Sequence, residues 1–182
     1  MQSADLFARL STVHRPDCAL FEDGPVPKPA PDPEEVARLV GSSEAAAYAE
    51  ACRPVFEDLR RVIGQLAGLM ILAQLTRSTE VADLSELSSC RARWESSGER
   101  LAALSAPAAL TAHLEQISAA HVFCGRALGT FSLIRPSRDN DDLFDDIARH
   151  VRRAYAHLRA VTSEKAGLEM VDLTHACCSC GR

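Results

Sequence analysis

Residues 175–182 read His175-Ala176-Cys177-Cys178-Ser179-Cys180-Gly181-Arg182, three cysteines and a histidine within six positions. Thiols this close together suit a soft metal ion, a disulfide relay or covalent modification, whereas a packed core has no use for three neighbouring sulfurs on so short a stretch. A regular helix or strand cannot turn all of these side chains toward one ion, because successive residues point in different directions. An irregular tail can fold its backbone around the metal, and Gly181 eases such a turn. The expected ligands are Cys177, Cys178 and Cys180, with His175 as a fourth. The expected cargo is a soft transition metal, copper or zinc, with cobalt or iron as further options.

A second set of ligand types is carried on helical stripes. His121 and Cys124 are three residues apart in an otherwise apolar pattern, so both should face inward from one side of a helix. Further along, Leu143, Ile147, His150, Ala154, His157 and Val161 form a line that brings two more imidazoles to the interior edge. His121, Cys124, His150 and His157 are therefore a secondary candidate metal site. Against it stands ordinary packing: a histidine in a stripe usually finds one hydrogen-bond partner, and a helical cysteine is usually a small buried hydrophobe. Cys52, Cys90 and Cys124 lie on apolar stripes of different helices and read as core residues for the same reason. Asp146 and His150, four apart, can pair on a helix surface. His14 and Cys18 flank Pro16 in a stretch that reads as an exposed turn.

Parts of these patterns resemble known thiolate arrangements. Residues 175–180 are similar to the Cys-x-x-Cys-Ser-Cys claw of nitrile hydratase α subunits, with His175 standing where that family has its first cysteine. The resemblance implies cobalt or iron held by two thiolates and two backbone amides. Adjacent Cys177 and Cys178 also resemble the C-terminal pair of mercuric reductases, which implies transfer of a soft ion to a second site. Thiols on several helices of a bundle resemble copper storage proteins, whose cores carry many more than three. A folded portion followed by a cysteine-rich end resembles ribosomally made peptide precursors, which implies that a modifying enzyme acts on the tail cysteines.

Composition removes other classes. Twenty Lys and Arg against twenty-five Asp and Glu give a net charge of -5, which offers no electrostatic footprint for nucleic acid. The most apolar run, residues 66–75, is well short of the roughly 20 residues that span a bilayer, and arginines flank it, so no membrane partner is expected. No basic-then-apolar segment opens the sequence, so the expected compartment is the cytoplasm, where seven cysteines should be thiols, ligands or redox groups. There is no Gly-rich phosphate loop, Gly-x-Ser-x-Gly elbow, His-Glu-x-x-His helix or Glu-x-x-His pair, and the reading is of a binding protein rather than an enzyme.

The elements that must carry these residues are helical. At 182 residues and 47% hydrophobic content the chain suits one domain with a real core. Residues 1–33 read as an N-terminal segment ending in an extended proline-rich arm, residues 34–165 as a helical bundle, and residues 166–182 as a cysteine-rich tail. Spacings of three and four predict a first helix over 33–52 that pauses at 41–43. A second starts at Pro54 with the stripe Phe56, Leu59, Ile63, Leu66, Met70, Ala73. Asp83-Leu84-Ser85-Glu86 resembles a capping box and opens a third, Pro107 starts a fourth, and the acidic run at 139–142 caps a fifth over 141–162. The fold expected is all-α, an antiparallel bundle of four to five helices, with Leu66, Met70, Trp94, Leu114, Ile117, Leu128, Val151 and Leu158 in one core.

Three functions remain open at this stage. The first is soft-metal binding or transfer through the tail thiolates. The second is a precursor or carrier whose tail cysteines a partner enzyme modifies or an acceptor protein receives. The third is a helical interaction protein without metal, dimerising through an exposed apolar face.

Overall fold

The computed structural model describes residues 42–76, 85–135, 139–163 and 166–170. Their helices are α1 (Ser42–Thr76), α2 (Ser85–Ala102), α3 (Thr111–Phe131) and α4 (Asp141–Arg159), with a single 3-10 turn at Ala108–Leu110 leading into α3. The described residues contain no strand beyond one isolated bridge between Ser163 and Leu168, so the fold is all-α. No described helix is long and apolar enough to cross a membrane. The proline-rich arm lies outside the described residues.

Cross-helix contacts fix the direction of each neighbour. Cys90 lies against Val62 and Arg100 against Asp58, so α2 runs opposite to α1. Arg91 reaches the Leu128 carbonyl while Trp94 reaches that of His121, so α3 runs opposite to α2. His157 meets Gln116 and His150 meets Phe123, so α4 runs opposite to α3. Short connections between antiparallel helices produce this up-and-down order. The pair α3 and α4 shares the most extensive contact.

Pro54 does not begin a helix. Helix α1 passes through it, merging what the sequence suggested were two helices. Proline removes one backbone donor and so leaves the carbonyl of Glu50 without its helical partner. Both Pro54 and Glu50 are exposed, where water can take up that bond. On the opposite side of α1, Val55, Phe56, Leu59, Val62 and Leu66 are fully buried, and this packing outweighs one lost hydrogen bond.

The core follows the expected stripes with a wider footprint. Leu66, Ile117, Leu128, Val151 and Leu158 are buried, while Met70, Trp94 and Leu114 are partly buried against the same cluster. A second line on α3, comprising His113, Gln116, Ala120, Phe123 and Ala127, is buried as well, because α3 has α4 on one flank and α2 on the other. A helix covered on two sides buries more than one stripe.

Helix α4 begins at Asp141 as expected and ends at Arg159, before a turn. Asn140 does not cap it through its side chain. Its amide instead donates to the Arg135 carbonyl at 3.1 Å and accepts from the Arg135 backbone N–H at 3.3 Å, which closes the α3–α4 connection on itself.

Candidate functional site

After α4 the chain turns back on the bundle, and this turn is the root from which the cysteine-rich tail continues. Ser163 N–H donates to the Leu168 carbonyl at 2.8 Å and Leu168 N–H donates to the Ser163 carbonyl at 2.9 Å, a reciprocal pair that closes the loop. Gly167 sits at φ 67°, a left-handed conformation that other residues adopt only with strain. Leu168 is buried in the common core and Met170 packs against its edge. Two arginines of α1 hold the backbone of this segment: Arg53 Nη2 donates to the Ala166 carbonyl and Arg60 Nη1 to that of Glu169, both at 3.1 Å. Arg60 is itself held by Glu57, 2.6 Å away. His175, Cys177, Cys178 and Cys180 lie outside the described residues, as do His14 and Cys18.

The secondary candidates are described, and the structure sends them to different partners. His121 stacks on the indole of Trp94 with ring centres 4.8 Å apart, and its Nε2 lies 3.1 Å from the Trp94 carbonyl. A carbonyl only accepts, so Nε2 carries the proton and is not a metal donor. Cys124 is fully buried, and burial pushes its thiol well above the usual range. His157 stacks on Phe123 at 5.4 Å and places Nδ1 2.7 Å from Gln116 Oε1. His150 tilts over the same ring at 6.1 Å. Among the described residues no group of three or more His, Cys, Asp or Glu could hold a metal ion. The expected site of His121, Cys124, His150 and His157 is therefore not assembled. The i, i+3 spacing put His121 and Cys124 on one side of α3, but His121 swings onto α2 while the α4 imidazoles pack on Phe123. Asp146 binds Arg149 at 2.6 Å, and His150 Nδ1 makes no hydrogen bond to it.

Around Phe123 the field is positive. The guanidinium carbons of Arg126 and Arg153 lie 5.1 and 5.3 Å from the ring centre, within cation–π range. His150 is held below the ordinary imidazole range by its burial first and then by Arg126, with Arg149 and Arg153 adding to the effect and Asp146 opposing it. Its Nδ1 is shielded from solvent with no hydrogen-bond partner among the described residues. His157 is lowered by burial and by Arg153.

One polar chain went unread in the sequence. Tyr48 on α1 donates its hydroxyl to His113 Nδ1 at 3.0 Å, with the rings edge to face at 5.6 Å. His113 lies near the Val161 backbone, and the Tyr48–His113 bond ties α1 to α3. Cys52 lies one turn along α1 from Tyr48, and burial pushes its thiol up to about 11. Burial likewise pushes Cys90 up to about 11, against the opposing pull of Arg93 and Arg91. A signal was available: His113, Gln116, Ala120 and Phe123 have helical spacing, but their mixed polarity hides a buried line.

All three bundle thiols are thus protonated, buried and on separate helices, which suits packing rather than ligation or nucleophilic chemistry. Comparison of the chain with protein families, with curated proteins and with solved structures finds no match.

Proposed function

We propose that the protein binds or hands over a soft metal ion through Cys177, Cys178 and Cys180, with His175 completing the site, and that the helical bundle is the scaffold on which this tail is mounted. The spacing of thiols and imidazole in residues 175–180 carries the reading. The chemistry of the described cysteines supports it: Cys52, Cys90 and Cys124 are sealed in the core as thiols, and a metal ligand must be a thiolate.

The test is native mass spectrometry and metal titration of the reduced full chain with Cu(I) and Zn(II), beside a variant in which Cys177, Cys178 and Cys180 are all Ser. The wild type should take up metal, the variant should not, and the thermal transition of the bundle should be nearly the same in both. Uptake unchanged in the variant, or none in the wild type, overturns the proposal. A covalent mass gain on the tail after co-expression with genomic neighbours, with no metal uptake, would instead establish the carrier or precursor reading.

A further inference from the structure

Two arginines from different helices converge on one ring at the α3–α4 interface. Phe123 of α3, only 8% exposed, is the floor, with the Arg126 guanidinium of the same helix over it at 5.1 Å and that of Arg153 from α4 at 5.3 Å. Measured from one centre, the two cations lie within about 10 Å of each other, close to the screening length of physiological salt, so each feels the other. His150 tilts over the same ring at 6.1 Å with Nδ1 shielded from solvent. A ligand arriving from solvent therefore meets its Nε2.

The nearby carboxylate does not cancel this charge. Asp146 is engaged by Arg149 at 2.6 Å, and among the described residues no carboxylate pairs with the exposed Arg126. The positive field registers on His150: after burial, Arg126, Arg149 and Arg153 all push it toward its neutral form. A neutral imidazole with its proton on Nε2 still donates a hydrogen bond to an anion.

Guanidinium forks match the edges of carboxylate and phosphate. A carboxylate presents one edge and is filled by one fork, whereas a tetrahedral phosphate turns oxygens in several directions and can be gripped by two forks from different helices. Long arginine side chains normally lose rotamer freedom when they bind. Here the Phe123 ring already holds both, and α3 and α4 share the most extensive helix contact, so the forks are positioned before a ligand arrives.

We infer that Arg126, Arg153 and His150 form a binding site for a single phosphate group, the free ion or the end of a small phosphomonoester, at the α3–α4 interface over Phe123. The chain's net charge of -5 disfavours an extended polyanion in that place. The site is separate from the tail cysteines and does not rest on the metal-binding reading.

The reduced, metal-free full chain at about pH 7.5, where a phosphate group is mostly dianionic, is titrated with inorganic phosphate and separately with glycerol phosphate, at ionic strength fixed with sodium chloride. The His150 ring signals and the Phe123 and Arg153 amides should shift and saturate with a Kd of about 1 mM or below, while the Leu87 amide on α2 stays in place. Saturation by both ligands assigns the site to a phosphomonoester end, and saturation by inorganic phosphate alone assigns it to the free ion. Arg126→Gln and Arg153→Gln should each weaken binding at least about fivefold, whereas Arg61→Gln, which removes an exposed charge of α1, should leave it within about twofold. No saturable shift with either ligand up to about 20 mM overturns the inference. So does equal saturation by acetate, or an affinity unchanged in Arg126→Gln while the rest of its spectrum matches wild type. Because no metal is present, failure here leaves the metal titration to be judged separately.

Discussion

Trp94 and His121 hold each other across the α2–α3 interface. Trp94 Nε1 donates to the His121 carbonyl at 2.9 Å, His121 Nε2 donates to the Trp94 carbonyl at 3.1 Å, and the rings stack between the two bonds. This reciprocity needs helices that approach closely, and two glycines permit it. A Cβ on Gly125 would sit 2.6 Å from the indole, and one on Gly98 would sit 2.8 Å from the His121 ring.

Gly125→Ala should therefore destabilise the bundle. A rigid indole cannot give way as a flexible side-chain end would, and overpacking of this kind costs roughly 1–3 kcal/mol, more than the ~1 kcal/mol that alanine contributes to a helix interior. Gly129→Ala, on the same helix with nothing within 4 Å, is the matched control and should stabilise by up to about 1 kcal/mol. Urea unfolding followed by the fluorescence of Trp94, the sole tryptophan, checks both. Equal effects of the two substitutions would contradict the close approach.

Stability should fall in mild acid. His113, His121, His150 and His157 are all held below the usual imidazole range, burial being the first cause in each. The unfolded chain titrates near 6.5, above the folded values, so between the two it binds more protons than the folded state. The contribution of these residues is complete above about pH 6.5 and declines as pH falls toward the depressed folded values. His113→Gln removes the most sheltered of these bases and should flatten the decline between about pH 6.5 and 5 in urea melts, where wild type loses stability. An identical pH profile for the two would rule His113 out as a contributor.

Much of this architecture could be read from residue spacing, because burial on a helix leaves a period. Ile117, Leu128, Val151 and Leu158 recur at helical spacing and are buried as expected, while Leu114 on the same stripe is partly buried. Failures came where one local rule met a stronger nonlocal force. Pro54 reads as a helix start by its backbone chemistry, yet the apolar face of α1 runs unbroken on both sides of it, and packing carries the helix through. His121 reads as a ligand because it interrupts an apolar stripe, but its partner is a tryptophan on another helix, a pairing that no single-helix pattern can contain. Arg53 and Arg60 look like solvated charges, since their acceptors are backbone carbonyls more than a hundred positions away. Sequence spacing locates the thiols of residues 177–180, while their root on α1 emerges only from the fold.

Thiol reactivity should divide the seven cysteines into two sets. Cys52, Cys90 and Cys124 are buried without measurable exposure, and their protonated state removes the nucleophilic thiolate. Titration of the reduced native protein at neutral pH with an aromatic disulfide should leave these three unreacted until denaturant is added. Mass mapping of the modified peptides identifies them. Rapid labelling of any of the three under native conditions would show that the helices carrying it open readily.

The anchor between α4 and the tail should belong to the cooperative unit of the bundle. Leu168 is 1% exposed, as deeply buried as residues in the middle of α3, although it follows the last helix. Truncating a buried leucine to alanine costs roughly 2–5 kcal/mol, and the position of Leu168 at one end of the core, where neighbours can collapse into the gap, places Leu168→Ala toward the lower figure. Gly167→Ala tests the backbone separately: at φ 67° a Cβ costs about 1–2 kcal/mol, and it would also meet the Arg53 guanidinium at 3.1 Å. Both variants should lower the urea midpoint and also speed hydrogen exchange at the Leu168 amide, whose bond to the Ser163 carbonyl closes the turn. If Leu168→Ala left the midpoint unchanged and only local exchange rose, the segment would be an independent flap rather than part of the core, and the two arginine contacts alone would be too weak to fix the root of the tail.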